Sequence, residues 1–569
     1  MPRRPANLIY SRDEMPPIPT ALLLGIEHIF ILSISFIFPV VIVGEIGGTP
    51  EDAQNLICMA MIATGLTTML QSINKGPIGS GYLCPLVNGP AFIPASLLAG
   101  KAGGLALIFG MTAAGGLFEG LFSLVVAKLR RFFPPEVTGT IVLMVGIEVI
   151  PIAIPKFFGI DKTHTLPYMP SLFIALLTLA TIASFNVWGK GKMKLYSLLI
   201  GMAVGYVASF AIGLLGYDNL KILLDSPIFL MPQLGRFGIS FNYLFLVPFA
   251  VAALSSALKT MGDLAICQKI NDANWKRMDM ISVSKGIRAC AVGNVMSGLL
   301  GALGQSVSSS NIGLSIATGA TSRYIGFAAG LILIFLAFVP KLAAVFVIMP
   351  TPVMGASLVF AVCFMILAGM QIIMSRMIDA RKTFVIGLSI IFGLSFDYVP
   401  GLFSSVHPWA SVLFSSSLSV ATISAILLNM FFRIGIGRSA TLELEPGKDS
   451  SEKVFSFMEK QGGAWGARHD VILNATAALA EFLELSSLIG LIGKKILVKV
   501  QFDEFNLDIF ATYEGKPLDL KVDSPHLNSL DGGEVASTRL ASYMMNRYAN
   551  KITFTGTDGM TEMHMHFEH

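Results

Sequence analysis

Small and polar residues interrupt the apolar part of this chain at Ser308–Gly319, which reads SSSNIGLSIATG. Hydrocarbon offers no hydrogen-bonding partners to free backbone groups, so a non-helical segment at bilayer depth persists only where it is buried in protein or lines a cavity. Broken helices of this kind mark substrate sites in secondary transporters. The segment therefore predicts a site for a polar ligand inside a membrane domain.

The overall composition predicts a polytopic α-helical membrane protein. The 569 residues are 54% hydrophobic and 13% charged, and the mean hydropathy of +0.70 excludes an ordinary soluble globule. Apolar runs of about 20 residues, the length that spans a bilayer, follow one another from residue 19 to residue 433 and predict 14 spans. The third span, interrupted by the prolines of Cys84–Pro94, and the tenth, interrupted at Ser308–Gly319, hold matching places in two runs of seven. This match indicates two related halves.

Basic residues collect in alternate loops between the predicted spans, as expected on the cytoplasmic side of a membrane. They include Lys128–Arg131 after span four, Lys190–Lys194 after span six, Lys269–Arg288 after span eight and Arg376–Lys382 after span twelve. The pattern predicts a multi-pass protein of the plasma (inner) membrane. Both termini are expected to be cytoplasmic, the first being a tail of residues 1–18.

The five cysteines lie singly in or beside the predicted spans, without a C-x-x-C pair or a cluster with histidine. This spacing argues against both a metal site and a disulfide framework. The cysteines are therefore interpreted as small apolar packing residues. The sequence contains no recognisable enzyme motif, so we assign neither a catalytic residue nor a cofactor.

Several segments of the apolar region resemble the nucleobase–ascorbate transporter family, also called nucleobase:cation symporter 2. They are Gly25–His28 (GIEH), Phe133–Thr140 (FPPEVTGT), Ser310–Gly313 (SNIG), and Lys341–Ala344 (KLAA) with Met349–Gly355 (MPTPVMG), and they occur in the family's order. The resemblance extends over most of residues 19–433. It implies a small-molecule substrate, a bilayer environment, a homodimer and no nucleic-acid partner.

The fold implied by this resemblance has 14 spans in two inverted repeats of seven. Spans 1–4 and 8–11 would form a core domain, and spans 5–7 and 12–14 a gate domain. In that family the third and tenth spans are half strand and half helix, which places short strands near Val87–Ala91 and Ser306–Ser309 beside one pocket. The N-termini of the two half-helices would face the ligand.

The physical chemistry of the two interruptions indicates which residues contact the ligand. A helix that begins after Asn311 would aim unpaired N–H groups and the positive end of its dipole at a ligand beside Ser309 and Ser310, favouring anionic or carbonyl-bearing groups. Gly89 would permit close approach of the backbone. Phe92 could offer a ring face to a planar heterocycle, or simply pack in the membrane core. The predicted binding residues are Lys259, Ser310, Asn311, Ser309, Phe92, Ala91, Gly89 and His28.

The eighth predicted span departs from the family at a substrate-binding position. The resemblance aligns Leu258–Leu264 (LKTMGDL) with a motif in which a glutamate binds the nucleobase, and Lys259 stands at that position. A lysine at the centre of a spanning helix costs about 2.5–3.5 kcal/mol, so it needs a reason. One interpretation is a structural pair with Asp263 at spacing i,i+4. The other is that Lys259, aided by Ser310, binds a ligand that is anionic or rich in acceptor atoms.

The candidates for binding a coupling cation, H⁺ or Na⁺, are Asp263, Lys259 and Glu27. A desolvated lysine can titrate near neutrality, whereas loss of the family glutamate argues against ordinary proton or sodium coupling. Glu27 and His28 occupy the first span, where the family commonly has Gln-His close to the ligand. His28 is expected either to support the site or to make a satisfied hydrogen bond between helices.

The chain becomes polar after residue 433 and predicts a second, cytoplasmic domain. Residues 434–452 are interpreted as a linker, and residues 453–569 as an α+β domain with helices on one face of a mixed sheet. The layout, with a glycine-bearing segment at Leu530–Gly533, resembles the histidine-kinase-type ATPase fold. However, Leu485 replaces the magnesium-ligating asparagine and Tyr513–Gly515 replaces the Asp-x-Gly motif. A degenerate, non-catalytic relative used for dimerisation or regulation is favoured over a generic α+β module.

Three histidines stand at the end of this domain, His564, His566 and His569. They lie on or just after the last predicted strand. We interpret them as part of an ordinary strand, or as an added terminal remnant, rather than as a metal site.

Taken as a whole, the sequence favours a secondary transporter of a purine-like or related planar heterocycle, moved by an elevator motion of the core against the gate. The altered pocket favours an anionic ligand such as urate or a xanthine anion. One alternative is a permease for small organic or inorganic anions with the same fold, in which Lys259 supplies the counter-charge. Another is a ligand-sensing transceptor that signals through the C-terminal domain.

Overall fold

The computed structural model describes residues 4–6, 8–129, 133–160, 166–273, 275, 278–375, 378–399, 416–432, 439–488, 494–503, 506–515, 534–557 and 559–568. The chain divides into two compact units. The first comprises Met1–Ile372 and Ile386–Leu427, and the second comprises Ile373–Val385 and Leu428–His569. The predicted segment Leu530–Gly533 and His569 lie outside the described residues.

Apolar helices and one short strand make up the first half of the apolar region. In chain order they are α1 (Ile18–Leu32), α2 (Ile37–Ile46), α3 (Pro50–Ser72), β1 (Leu86–Asn88), α4 (Ile93–Leu129), α5 (Pro135–Phe158), α6 (Met169–Trp188), α7 (Lys192–Leu195), α8 (Ser197–Ile212) and α9 (Tyr217–Asp225). A 3₁₀ turn at Pro90–Phe92 joins β1 to α4.

The second half of the apolar region repeats the motif of a short strand followed by a helix. Its elements are α10 (Leu246–Asn271), α11 (Met280–Leu300), β2 (Gln305–Val307), α12 (Ser309–Thr318), α13 (Arg323–Leu336), α14 (Pro340–Val347), α15 (Thr351–Ile373), α16 (Ala380–Tyr398) and α17 (Ser417–Phe432).

Local sequence explains where several of these helices begin and end. Helix α3 starts with Pro50, a residue suited to the first helical position, and a capping box between Thr49 and Asp52 satisfies two backbone N–H groups. Helix α5 likewise begins at Pro135 and ends before Gly159, whose φ of 66° lies in the left-handed region.

Seven of the described helical segments are long and apolar enough to cross a membrane individually. A further candidate, α13 with α14, is bent by 84° at its break. Helix α4 is interrupted at Gly103 and Gly104, where Gly104 has a φ of 68°, so it contains two helical pieces that meet where the third and fourth predicted spans adjoin. The polytopic helical fold is confirmed, and the number of 14 spans stays a prediction.

Glycines allow α4 and α11 to pack closely. A Cβ atom at Gly298 would lie 2.4 Å from the carbonyl oxygen of Phe109, and a Cβ atom at Gly116 would lie 2.7 Å from the backbone nitrogen of Val295. Small residues at such crossings let the backbones of membrane helices approach each other. This contact holds α11, which leads into β2, against the helix that follows β1.

The elements of the second unit are β3 (Ser439–Leu444), α18 (Ser451–Trp465), α19 (His469–Leu488), β4 (Ile496–Asp503), β5 (Asn506–Glu514), α20 (Glu534–Tyr548), β6 (Lys551–Thr557) and β7 (Met560–Glu568). Its five described strands form one sheet in the order β3-β4-β5-β7-β6. Alternate residues of β4, such as Ile496 and Val498, are buried in a core shared with the helices, while Leu497 and Lys499 on the other face are exposed. The helices therefore cover one face of the sheet.

Two predictions for this unit are wrong. The sheet is not mixed, because every pairing between its described strands is antiparallel. The predicted linker 434–452 contains β3, which pairs with β4 from Ser439 opposite Gln501 to Leu444 opposite Ile496. The six residues of β3 give only a weak local signal, and pairing with a strand 52 to 62 residues further along the chain fixes their conformation.

We expect the substitution Gly298→Ala to destabilise the apolar unit, because the new methyl group would lie 2.4 Å from the Phe109 carbonyl oxygen. Overpacking of this kind costs about 1–3 kcal/mol, so the unfolding temperature of the purified protein should fall. Gly387→Ala in α16 is the matched control, since a methyl group there meets no atom within 4 Å among the described residues. Equal unfolding temperatures for the two variants would contradict this packing.

We expect the purified chain not to hydrolyse ATP. Leu485 is fully buried among core residues and offers no oxygen ligand for magnesium, and Tyr513 is buried in the same core. The measurement is magnesium-dependent release of phosphate from ATP. Turnover that disappears in the variant Glu481→Gln would show that the unit retains a catalytic site despite these replacements.

Candidate substrate site

Two short strands meet in the middle of the apolar unit. β1 and β2 pair antiparallel over all three residues of each strand. The ladder continues on both sides, since the N–H of Gly89 donates to the carbonyl of Gly304 at 2.7 Å and the N–H of Ser308 donates to the carbonyl of Pro85 at 2.9 Å. Both strands lie where the sequence predicts them, although each begins and ends earlier than expected.

The strand β2 leads directly into α12, which begins at Ser309 rather than after Asn311 as predicted. Ser308 is the N-cap residue, and its side chain makes no capping hydrogen bond. The first N–H groups of α12 therefore lack partners within the helix, and the positive end of its dipole lies at the serines. Ser309 and Ser310 therefore lie in the first turn of the helix.

One cavity of about 170 Å³ joins the starts of both helical pieces. Pro90 and Ala91 line it after β1, and Ser308, Ser309 and Ser310 line it after β2. The other polar lining residues are Ser35, Asn88, Ser255, Ser256, Lys259 and Ser306, and the apolar ones include Ile31, Phe38, Val142, Val145, Leu198, Phe360, Phe364 and Met365. The cavity thus presents polar edges and broad apolar walls.

Lys259 reaches this cavity from α10 and makes two charge-stabilised contacts. Its Nζ atom lies 3.1 Å from Oδ2 of Asp263 and donates to the carbonyl oxygen of Val307 in β2. The same carboxylate oxygen accepts a hydrogen bond from the Ser309 hydroxyl at 3.1 Å. These contacts tie together α10, β2 and the first turn of α12.

The i,i+4 pair of Lys259 with Asp263, one of the two interpretations of the sequence, is therefore formed. The two partners are not equally placed, because the lysine side chain is 21% exposed and the aspartate side chain only 6%. Lys259 lines the cavity, whereas Asp263 lies behind it. A ligand would meet the ammonium side of the pair.

Two predicted contacts are corrected by the structure. A Cβ atom at Gly89 would meet the backbone of Gln305 and Ser306 at 3.2 Å, so Gly89 permits strand pairing rather than ligand approach. Phe92 is fully buried and packs against Phe249, with ring centroids 6.5 Å apart. Neither Gly89 nor Phe92 is among the residues that line the cavity.

His28 and Asn311 contact each other instead of the cavity. Nδ1 of His28 lies 2.8 Å from Oδ1 of Asn311, and the amide nitrogen of Asn311 donates to the hydroxyl of Ser308 at 2.9 Å. All three residues are buried, and this chain of contacts holds the first turn of α12 against α1. Glu27 is also buried in α1 but is not among the cavity-lining residues.

The sequence interpretation missed a buried polar network behind the cavity. The carboxylate of Glu119 in α4 accepts from the amide of Asn294 at 2.7 Å and from the hydroxyl of Ser256 at 3.2 Å. Asn294 also accepts from the backbone N–H of Gln305 at 2.6 Å. Because Ser256 lines the cavity, the buried carboxylate is one hydrogen bond away from it.

The sequence contains a signal for Ser256 of this network and for its neighbour Ser255, which also lines the cavity. Ser255 and Ser256 precede Lys259 by four and three residues, and residues at these spacings share one face of a helix. That face carries Lys259 into the cavity, so the two serines could have been predicted to line it. Asn294 has no comparable signal, since only the crossing of α4 and α11 brings it to Glu119.

Comparison with known proteins identifies the kind of membrane protein to which this site belongs. The model of a permease family, that of the xanthine and uracil permeases, matches residues 19–402. A Clostridium perfringens protein, provisionally named a purine permease, is 30% identical over 74% of this chain and 92% of its own length. The xanthine permease XanQ of Escherichia coli is 26% identical over 79% of this chain and 98% of its own length.

A solved structure supports the fold. SLC26A9 aligns with 83% of this chain and 76% of its own chain at a TM-score of 0.50 and 12% sequence identity. At that identity the likeness concerns the fold alone. The family match and the relatives together show that this chain is a multi-pass membrane transporter, not an enzyme, and that it belongs to the xanthine and uracil permease family, the nucleobase–ascorbate transporters.

Proposed function

We propose that this permease carries a purine-like planar heterocycle in an anionic form, and that the cavity beside Lys259 holds it. The observation that carries the proposal is the convergence of Lys259 and the N-terminal serines of α12 on one cavity. The names of the relatives, purine and xanthine permeases, support the heterocycle. The exchange of a family glutamate for a lysine supports the charge.

The lining of the cavity suits a flat ring with polar edges. Valine and phenylalanine side chains from α5 and α15, such as Val145 and Phe360, offer apolar walls for the faces of the ring. Serine hydroxyls from α10 and α12 and the side chain of Asn88 lie at the polar side and can pair with ring nitrogens and carbonyl oxygens.

Three features favour negative charge on the ligand. The ammonium of Lys259 is the more exposed partner of its ion pair. The free N–H groups at the start of α12 attract acceptor atoms, and the helix dipole adds a partial positive charge there. Asp263 offsets part of this field, but it lies deeper and is shared with Ser309.

An elevator motion is consistent with which elements line the cavity. Ile31, Lys259 and Ser309 belong to spans of the core expected from the family resemblance, while Val142 and Phe364 belong to spans of the expected gate. The ligand would then be held by the core and carried past the gate. We also propose that the protein forms a homodimer and that both termini of the chain are cytoplasmic.

A coupling cation would bind the carboxylate of Asp263, which lies directly behind the cavity-lining Lys259. Its carboxylate contacts both Lys259 and Ser309, so protonating it or binding Na⁺ there would alter the contacts of α12. Glu27 is buried in α1 outside the cavity lining. We propose Asp263 as the coupling residue on this basis.

The charge of the ligand can be tested through its own ionisation. For a weakly acidic purine such as xanthine, we expect affinity to rise as the pH is raised through the pKa of the ligand, because the anion becomes the main species. Adenine, which stays neutral over the same range, is the control and should bind equally weakly throughout. Binding to protein in proteoliposomes or by thermal shift provides the measurement.

Two outcomes of this experiment would count against the proposal. Affinity for xanthine that falls as the pH rises would mean that the neutral form is bound. Saturable binding of bicarbonate or a small carboxylate, without any response to purines, would favour the small-anion permease.

The role of Lys259 can be separated from its pairing with Asp263. Lys259→Met alone leaves the carboxylate of Asp263, whose side chain is only 6% exposed, without its positively charged partner. This variant should therefore lower both the unfolding temperature and the affinity for the ligand. The double variant Lys259→Met, Asp263→Leu removes both charges and should regain stability. If Lys259 contacts the ligand, the double variant still loses at least about 30-fold in affinity, corresponding to ~2 kcal/mol.

A matched control comes from a second lysine–carboxylate pair away from the cavity. Nζ of Lys156 lies 3.0 Å from Oε1 of Glu45, and Lys156→Met should leave ligand affinity unchanged. A double variant at Lys259 and Asp263 that binds the ligand as tightly as the wild type would reduce the pair to a structural role.

A further inference from the structure

Three metal-ligating side chains converge on the outer face of the C-terminal sheet. In the antiparallel pairing of β5 with β7, Asp508 stands opposite His566 and Phe510 stands opposite His564. Side chains of alternate residues in a strand point to the same face. Asp508, His564 and His566 therefore share one face, while Met565 and its neighbours on the other face are buried in the core.

The two imidazoles are aimed at a single carboxylate oxygen. Oδ1 of Asp508 lies 2.7 Å from Nε2 of His564 and 2.7 Å from Nδ1 of His566. One potential ligand atom from each of the three side chains lies within 4.8 Å of the others. The side chains are between one quarter and one third exposed, so a small ion can reach them from solvent.

Packing holds this arrangement in place. The ring of His564 stacks on Phe510, with centroids 4.5 Å apart and planes inclined by 5°. His566 lies within β7, and the pairing of β7 with β6 holds its backbone and places Lys551 opposite it. A rigid sheet thus presents two imidazoles and one carboxylate, which is a more ordered set than histidines in a flexible tail.

We propose that Asp508, His564 and His566 bind a divalent transition-metal ion of the Zn²⁺ type on the C-terminal unit. Imidazole nitrogen and carboxylate oxygen are established ligands of such ions, and three protein ligands leave a position for water. The ligand atoms of tetrahedral zinc lie roughly 3.4 Å apart at bond lengths near 2.1 Å. Small rotations of the three side chains would open the hydrogen-bonded cluster to that spacing.

The protons of the cluster can be accounted for. An ionised carboxylate only accepts hydrogen bonds, so the ring nitrogens facing Asp508 carry protons when no ion is bound. On binding, each neutral imidazole would shift its proton to its other ring nitrogen and offer the freed lone pair to the ion. Lys551 across the ladder adds a positive charge nearby, which should keep the affinity below that of a closed structural zinc site.

The test uses the full chain in detergent after bound metal has been removed with EDTA. Zn²⁺ is then added as the only metal, and a chromophoric chelator that competes for it reports binding. We expect one Zn²⁺ per chain and an unfolding temperature that rises with Zn²⁺. Asp508→Asn keeps the size of the side chain and one acceptor oxygen, and it should weaken Zn²⁺ binding by more than about 10-fold. His566→Gln should do the same, and it decides the matter if Asp508→Asn does not fold.

Asp508 is the informative position because it lies 58 residues before His566. Histidines near the end of a chain could bind Zn²⁺ without the sheet, and such binding would not depend on Asp508. Undiminished affinity in Asp508→Asn would therefore overturn the proposal, as would the absence of Zn²⁺ binding by the wild type. His469→Asn is the control, since His469 is an exposed histidine of the same unit outside this cluster, and it should bind like the wild type.

Discussion

The pairing of β1 with β2 is the interaction on which the rest of the apolar unit depends. Two three-residue strands inside a membrane domain leave backbone groups on their outer edges, and hydrocarbon offers no partners to satisfy them. Side chains take this role, since Thr68 accepts from the N–H of Leu86 at 3.1 Å and Asn294 accepts from the N–H of Gln305 at 2.6 Å. The buried carboxylate of Glu119 then completes the hydrogen bonding of Asn294.

The same pairing shapes the candidate site and provides one contact of its lysine. It fixes where the two helical pieces begin, and it brings their first residues to one cavity. It also supplies the Val307 carbonyl that accepts from Lys259, so the lysine is bound to the site through the strand as well as through Asp263. A glutamate in place of Lys259 could not make this contact, because an ionised carboxylate only accepts hydrogen bonds and cannot donate to a carbonyl.

Sequence reasoning succeeded where a physical constraint is local. Serines and glycines at bilayer depth require a cavity or burial, and this located the break before α12. It failed where a residue's role depends on what packs beside it. Asn311 contacts His28 and does not line the cavity, and Phe92 packs on Phe249. The strand β3 was interpreted as linker because its partner β4 lies far along the chain.

The sequence by itself determined that this chain is a polytopic membrane protein, since apolar length and helix-breaking residues act over about one span. The permease fold was implied by the resemblance of its motifs to a known family. The sequence also contained the Lys259–Asp263 pair, because residues four apart in a helix are neighbours. Only the tertiary structure decided which side of that pair meets the cavity, which carboxylate supports the strands, and that Asp508 joins His564 and His566. These depend on contacts between residues dozens to hundreds of positions apart, and local propensity does not encode such distances.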